Sequence, residues 1–321
     1  MILLTGAAGY LGSHIFHEFK KRKIQLTGID NFSTKNVANK YSKYILRIDI
    51  NNNLKLEKII KKNNINTIIH TAAFSHPLES QKNYKKYKIN NIYKTKNFIK
   101  LCKLNNIKNF IFLTSSNVYS DKRNGSYKEN DKTNPKNYYG KTKINIEKYL
   151  KKNKKNFKSL ICLRLFNIAG YYDDFRYNEN EYKYKRFFNI IKNKINQNKY
   201  LKLYYYKKNK KILFPKRDFL HIKDLNLLLV KIIYKLKNNL GFEVYNVGSG
   251  KSVSMKDFVK IYENEANKKI KYSLEILSCS ELKTTLADSR KVKTKYSWSP
   301  KYNIKDVIRS IVKKTASGNT H

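Results

Sequence analysis

Cysteine is scarce here, with 3 in 321 residues. Cys102, Cys162 and Cys279 are odd in number and far apart. That excludes a disulfide framework and a cysteine metal site, and points to a reducing cytoplasm. Long apolar runs are missing too. No stretch approaches the roughly 18 uncharged apolar residues of a membrane-spanning helix. The apolar start "MILL" runs straight into "TGAAG" with no basic stretch before it, so no secretory leader is expected. What remains is 40% hydrophobic, enough to bury a sizeable core in one two-lobed unit or two domains.

Acidic residues are the next shortage. Asp and Glu number 23 against 69 Lys and Arg, for a net charge of +46. Such a charge invites a nucleic-acid or membrane-surface reading. Yet only nine of the basic residues are arginine, and Asn, Ile and Tyr are abundant with Lys. Those four share AT-rich codons, so compositional drift accounts for them. The lysines are also spread along the chain ("KKRK", "KKNKKNFK", "YYYKKNKK"). No specific nucleic-acid partner is expected. The charge attracts anionic ligands and weakens the fold at low salt. Each surviving arginine becomes more informative.

Short apolar runs alternate with helical spacing through the first half. "MILLT", "IQLTGID", "YILRIDI", "INTIIHTA", "KNFIFLTSS" and "SLICLRLFN" read as strands. Between them the spacing predicts helices over about 10–21, 54–62, 84–104 and 138–152. Strands without period-two alternation are expected where both faces are covered, so the fold class is α/β, a doubly wound parallel sheet. After Asn167 the pattern breaks into a mixed lobe, with a helix expected over 186–197, strands at "LKLYYY", "EVYNVGSG" and "IKYSLEIL", and a frayed tail "TASGNTH". The expected division is 1–168 for a dinucleotide-binding domain and 169–321 mainly for a substrate lobe, with segments around 215–240 returning to the large domain.

Glycine is scarce as well, 11 in all, yet Gly6, Gly9 and Gly12 fall within seven residues behind the first strand. Gly6 permits a tight turn, Gly9 lets a diphosphate approach the backbone, and Gly12 lets the following helix, opened by Tyr10 and Leu11, pack close to the sheet. The helix N-terminus offers N–H groups to phosphates. Asp30 ends the second strand, where a carboxylate can hold ribose hydroxyls and repel a 2′-phosphate. No arginine is expected to sit beside it, which favours NAD over NADP. A solvated turn aspartate would read the same way.

Tyr139 and Lys143 are four apart, on one face of a helix. A nearby ammonium lowers a phenol's pKa, so the hydroxyl can exchange protons near neutrality. In a chain this rich in Tyr and Lys such pairs also arise by chance. Ser115, at the end of the fifth strand, distinguishes this one by offering a hydroxyl to a reacting oxygen. His70, on an apolar strand end, reads as packed or backbone-bonded. His14 and His17 have no acidic set suited to a metal. "GSGKS" at 248–252 is not a phosphate loop, because Tyr245 stands where its first glycine is needed.

With these residues in place, the chain resembles the extended short-chain dehydrogenase/reductase family over nearly its full length, on the nucleotide-sugar epimerase branch of the UDP-glucose (UDP-galactose) 4-epimerase type. "TGAAGYLGSH", "IDNFS", "RIDI", "IHTAAFS", "INNIYKT", "TSSNVYS", "YYGKTK", "LRLFNIAG", "KRDFLHIKDL" and "LADSRKVKTKYSWSP" each resemble a family segment. The resemblance implies NAD held by Gly6, Gly9, Tyr10, Leu11, Gly12, Asp30, Asn31, Asp49, Ile50, Thr71, Ala72, Ala73, Asn91, Tyr139, Lys143 and Phe166. It implies a nucleotide-sugar, a UDP-hexose first, touched by Ser115, Asn117, Asn167 and Arg217. Ser115, Tyr139 and Lys143 would be catalytic, and a homodimer would form through helices near 90–104 and 138–152.

Three departures bear on the substrate. Family members that dehydrate the sugar carry Asp-Glu after the Ser or Thr, whereas this chain has Asn117. A second diphosphate arginine is missing from "LSCSELKTTLAD". "LYYYKKNKKILFP" does not match the family's turn. The expectation is an epimerase working by transient hydride transfer. The alternatives are a nucleotide-sugar or 4-keto-sugar reductase or dehydrogenase, and an inactive NAD-binding protein. Arg217 could instead form a structural ion pair with Asp218 or Asp224.

Overall fold

The structure is a computed structural model, and it describes residues 1–33, 41–122, 125–175, isolated positions between 190 and 197, 199–236 and 240–316. The strands are β1 (Ile2–Thr5), β2 (Leu26–Asp30), β3 (Ile45–Arg47), β4 (Thr67–His70), β5 (Asn109–Ser115), β6 (Ser159–Leu165), β7 (Asn167–Ala169), β8 (Leu201–Lys208), β9 (Lys211–Leu213), β10 (Lys216–His221), β11 (Gly241–Val247), β12 (Ser252–Ser254) and β13 (Tyr272–Ile276). Seven form one sheet in the order β11-β6-β5-β4-β1-β2-β3, and every neighbouring pair in it is parallel. The order reverses at β1, the place where doubly wound sheets open a crevice for ligand.

Both faces of that sheet are covered. Leu3, Ile29, Ile68, Phe110 and Leu160 point into one core with Phe98 and Ile99 of α5 (Thr95–Leu104) and Leu56 and Ile60 of α2 (Asn53–Lys62). Leu4, Ile69, Ile111 and Ile161 point into the other with Ile15, Phe16 and Phe19 of α1 (Tyr10–Lys21) and Leu225, Leu228 and Leu229 of α7 (Ile222–Lys235). Alternate side chains thus enter opposite cores, which is why the strand sequences read as unbroken apolar runs. Each fully buried Leu, Ile or Phe contributes about 1.5–3 kcal/mol.

The helix expected over 84–104 is three pieces end to end: α4 (Tyr84–Tyr87), a π-helical stretch (Lys88–Lys94) and α5. A short α3 (Pro77–Lys82) precedes it, and α6 (Tyr138–Lys152) has the expected bounds. Two three-stranded sheets, β12-β10-β7 and β13-β8-β9, build the smaller lobe with α8 (Met255–Ala266), α9 (Arg290–Tyr296) and α10 (Ile304–Ala316). The chain comes back to the large sheet through residue 247, with β11 as the edge strand beside β6. Most of the helix expected over 186–197, and the end of the tail, lie outside the described residues.

Candidate active site

The crevice begins at the glycines. Gly6 has φ +67°, and a Cβ there would stand 2.7 Å from the Ala72 nitrogen and the Thr71 Oγ1. At Gly12 a Cβ would run into the Gly6 carbonyl. Gly9 precedes α1 in an extended conformation, and no side chain caps that helix. The N–H groups of its first turn are therefore presented to a ligand. Ala7 and Ala8 are buried, Leu11 is half-buried, and the Tyr10 hydroxyl donates to the Gly170 carbonyl at 2.6 Å. A cradle that any Cβ would fill, on an uncapped helix end, fits the diphosphate of a dinucleotide.

Asp30 is tied to this loop. Its Oδ2 accepts from the Ala8 N–H at 3.0 Å and its Oδ1 from the Phe32 N–H at 2.7 Å. Burial raises its pKa against those bonds. One expectation needs correction. The β2–β3 register sets Arg47 opposite Asp30, with its guanidinium 4.6 Å from the centre of the Phe32 ring. An arginine does sit beside Asp30, brought there by strand pairing across 17 residues of sequence that local inspection does not reach.

Asp49 accepts from Asn31 Nδ2 at 2.8 Å and from Lys94 Nζ at 2.7 Å. Burial raises its pKa, but Lys94 and Asn31 outweigh it and hold the carboxyl below its usual range. A recess of about 470 Å³ lies beside them, lined by Asp49, Asn51, Asn52, Asn53, Leu54 and Lys94. It does not include Ser115, Tyr139 or Lys143. Ile50 is buried in the core with Leu56 and Ile60. On the other side of the glycine loop, Thr71 Oγ1 donates to the Thr5 carbonyl at 2.7 Å, and Ala72 and Ala73 follow. Asn91, inside the π-helical stretch, grips the 71–74 segment: Oδ1 accepts from the Phe74 N–H at 3.0 Å and Nδ2 donates to the Phe74 carbonyl at 2.9 Å. Its Nδ2 also reaches Thr142 on α6 at 3.3 Å.

Ser115 ends β5, and its Oγ accepts from the backbone N–H and the Nδ2 of Asn117, both at 3.2 Å. Asn137 links this loop to α6. Its Oδ1 caps the helix by accepting from the Gly140 N–H at 2.8 Å, and its Nδ2 donates to Asn117 Oδ1 at 2.9 Å. A Cβ at Gly140 would collide with the Asn117 carbonyl, so glycine is what lets α6 seat against the Ser115 loop. Tyr139 and Lys143 follow on that helix, both buried. Lys143 Nζ donates to the Leu113 carbonyl at 2.9 Å and stands 5.8 Å from the centre of the Tyr139 ring. Burial lowers its pKa to about 7, opposed by Glu147. Asn137 and Gly140 escaped sequence reasoning, although an Asn before a helix start is a cap signal.

The other expected residues are placed less directly. Phe166 packs in a small separate cluster with Val118, Tyr119, Tyr127 and Ala287. Asn167 Nδ2 donates to the Asp218 carbonyl and Thr285 Oγ1, each at 3.1 Å. Arg217, its side chain 14% exposed, pairs with Glu281 at 3.2 Å, and neither Asp218 nor Asp224 is its partner. Burial lowers its pKa while Glu281 opposes the shift. Asp218 is fully buried and wrapped by the 249–250 turn and Ala287, taking N–H bonds from Ser249 at 2.8 Å, Gly250 at 3.1 Å and Ala287 at 3.0 Å. The "GSGKS" turn thus holds a carboxylate of its own chain. Asp224 accepts from the Lys301 and Tyr302 N–H groups at 2.9 and 3.1 Å. His70 bonds Thr5 Oγ1 at 2.8 Å and Thr95 Oγ1 at 3.3 Å, so its partners are side chains instead of backbone.

The chain is similar to known proteins over nearly its full length. The model of the NAD dependent epimerase/dehydratase family matches residues 2–248. A UDP-glucose 4-epimerase of Pasteurella multocida is 28% identical over 325 residues, covering 96% of this chain and 95% of its own. A dTDP-4-dehydro-6-deoxyglucose reductase of Escherichia coli is 26% identical over 320 residues, covering 97% and 96%. Among solved structures, a UDP-glucuronic acid 4-epimerase of Bacillus cereus, in complex with UDP-glucuronic acid and NAD, superposes with a TM-score of 0.83 at 26% identity, covering 98% of this chain and 99% of its own. A UDP-glucose 4-epimerase of Stenotrophomonas maltophila with bound NAD gives 0.89 at 18% identity, covering 99% and 98%, a likeness of fold. The chain belongs to the NAD dependent epimerase/dehydratase family, and NAD is its cofactor.

Proposed function

We propose that this chain is an NAD-dependent nucleotide-sugar epimerase acting at C4 of a UDP-hexose through a keto-sugar intermediate. One observation carries the reading. Ser115, Tyr139 and Lys143 are tied to one another through Asn117, Asn137 and the obligatory Gly140. Bound NAD supplies a hydride acceptor that later returns the hydride. Tyr139 takes the proton of the sugar hydroxyl and later gives it back. Lys143 keeps its ammonium beside the Tyr139 ring, which favours the phenolate. Ser115 donates to the sugar oxygen. Asn117 in place of an acid speaks against dehydration. Arg217 meets the diphosphate, and Asn167 the nucleotide-sugar. Residues 1–168 act as the cofactor domain and 169–321 mainly as the substrate lobe, with segments around 215–240 returning to the large domain. We also infer a cytoplasmic enzyme that works as a homodimer through the helices at 90–104 and 138–152.

The test is incubation with UDP-galactose, following products by chromatography and absorbance at 340 nm. Epimer formation without net NADH supports the reading, and Tyr139→Phe should abolish it. The similarity to the E. coli reductase keeps a keto-sugar reductase as second reading. Consumption of NADH with a UDP-4-keto-sugar would favour that reading, and stoichiometric NADH from UDP-galactose with no epimer, the mark of a dehydrogenase, would exclude ours.

A further inference from the structure

Arginine is rare in this chain, and one of the nine is buried behind the reacting residues. Arg164 lies on β6, in register with Thr114 on β5 and Asn246 on β11. Its Nη2 donates to Glu147 Oε2 at 2.8 Å and its Nε to the same oxygen at 3.1 Å. Its Nη1 donates to the Tyr119 hydroxyl at 2.8 Å and the Glu129 carbonyl at 2.9 Å. Glu147 comes from α6, one turn beyond Lys143, and its Oε1 accepts from Thr114 Oγ1 at 2.7 Å. The pair is nearly sealed, with the side chains 7% and 4% exposed. The Tyr119 hydroxyl in turn lies 2.8 Å from Asn246 Oδ1. One level of three adjacent strands is thus bonded, through a single carboxylate, to the helix that carries Tyr139 and Lys143. Thr114 immediately precedes Ser115.

Stability alone does not account for this device. Taking two charges out of water costs more than apolar residues of the same size would, and such replacements are often neutral or stabilising. What a forked, directional pair adds is a fixed height and rotation of one element on another. Polar bonds of this kind hold a reacting group to sub-ångström limits, where loose packing does not.

We propose that Glu147 and Arg164 are positioning residues for the reaction: the pair locks α6 onto β5 and β6 at the level of Ser115, and so sets where the Tyr139 hydroxyl and the Lys143 ammonium meet the substrate. The inference rests on the reading of Tyr139 and Lys143 given above. The groups facing Lys143 are Tyr139 and Glu147 from its own helix and His70 from β4, with the Leu113 carbonyl and Phe112 of β5 beneath it and Arg164 and the thiol of Cys162 on β6 behind Glu147. Glu147 is the carboxylate that sustains the ammonium against burial. Removing its charge moves the balance toward neutral Lys143, and a neutral lysine no longer favours the phenolate.

Epimerisation of UDP-galactose by the holoenzyme, measured from pH 6 to 9, tests this. Glu147→Gln keeps the shape and drops the charge. It is expected to lower kcat about ten- to a hundredfold. KM should stay within about threefold, and the alkaline limb of the kcat profile should move down by about one unit. Thr114→Val removes one hydroxyl from the clamp and serves if Glu147→Gln does not fold. It should lower kcat several-fold in the same direction. Loss of melting temperature with wild-type kcat and an unmoved alkaline limb, in whichever of these variants folds, overturns the proposal and leaves a purely structural pair. Tyr139→Phe runs beside them. If it keeps turnover, the catalytic reading fails and takes this inference with it; if it is dead while both clamp variants are normal, only this inference fails.

Discussion

Asn117 donates twice to Ser115, from its backbone N–H and its side-chain amide, each 3.2 Å from the Oγ. A hydroxyl has two acceptor lone pairs and one O–H. With both lone pairs engaged, the remaining interaction Ser115 can offer is donation, the role a developing charge on the sugar oxygen needs. Ser115→Ala is therefore expected to lower kcat on the order of a hundredfold, as loss of one preorganised donor does. KM should change far less. Initial rates of UDP-galactose epimerisation check both, and a kcat within about threefold of wild type would exclude this donor role.

Gly140 tests the seating of α6. A Cβ there would collide with the Asn117 carbonyl and stand 2.8 Å from Pro135 Cβ. Gly140→Ala should lift the helix from the Ser115 loop, costing about 1–3 kcal/mol of stability and at least tenfold in kcat. Gly241 is the control. Its φ is +65°, but an added Cβ meets nothing within 4 Å. Gly241→Ala should cost about 1 kcal/mol and leave kcat alone. Thermal melts and kinetics on the two variants separate backbone strain from loss of placement.

How far the sequence could be read depends on the distance over which each signal acts. The parallel sheet and α1, α2 and α6 follow from local periodicity, and each strand's apolar run records burial on two faces. The Gly6–Gly12 motif and the Tyr139–Lys143 spacing are equally local. Arg47 is different: it faces Asp30 only because β2 pairs with β3, and no local rule states that register. Arg217 shows the same limit, since its partner Glu281 lies 64 residues away. The π-helical stretch at Lys88–Lys94 reads as ordinary helix because one extra residue per turn leaves little mark on the apolar pattern.

Acid should destabilise the fold through two histidines. Burial lowers His70 to about 3 from its ordinary 6.5, with Lys143 adding to the shift, and lowers His221 to about 3, with Lys223 adding. Both are neutral when folded, and His221 Nδ1 accepts from the Lys223 N–H at 3.1 Å as the cap of α7. Between pH 6.5 and 3 the unfolded chain binds more protons than the folded one. Their stabilisation is complete above pH 6.5 and is lost as pH falls, by up to about 1.4 kcal/mol per unit for each ring. The buried Asp30, Asp218 and Asp224 have raised pKa values and act in the opposite sense, so a variant is needed to isolate the histidines. Urea melts from pH 7.5 to 5 should show a shallower acid slope in His70→Gln. An unchanged slope would place the acid sensitivity elsewhere.

The inferred homodimer has a test built into the chain's charge. Ile89 and Tyr93, four apart, are 53% and 49% exposed, and Leu104 on the same run of helix is 81% exposed. Apolar side chains raised on a helix face are the kind that a second copy buries. Two chains of net charge +46 repel each other, however, so association must come from apolar burial working against Coulomb repulsion. Salt screens the repulsion and leaves the burial intact, with a Debye length of about 10 Å at 0.1 M and about 3 Å at 1 M. The dimer should therefore tighten as salt rises, the reverse of an interface built on ion pairs. Ile89→Lys with Tyr93→Lys adds charge and removes apolar area at once. That variant should run as a 38.1 kDa monomer by light scattering at salt concentrations where the wild type has twice the mass. A wild-type dimer that loosens with salt, or a lysine variant that stays dimeric, would place the interface on another face.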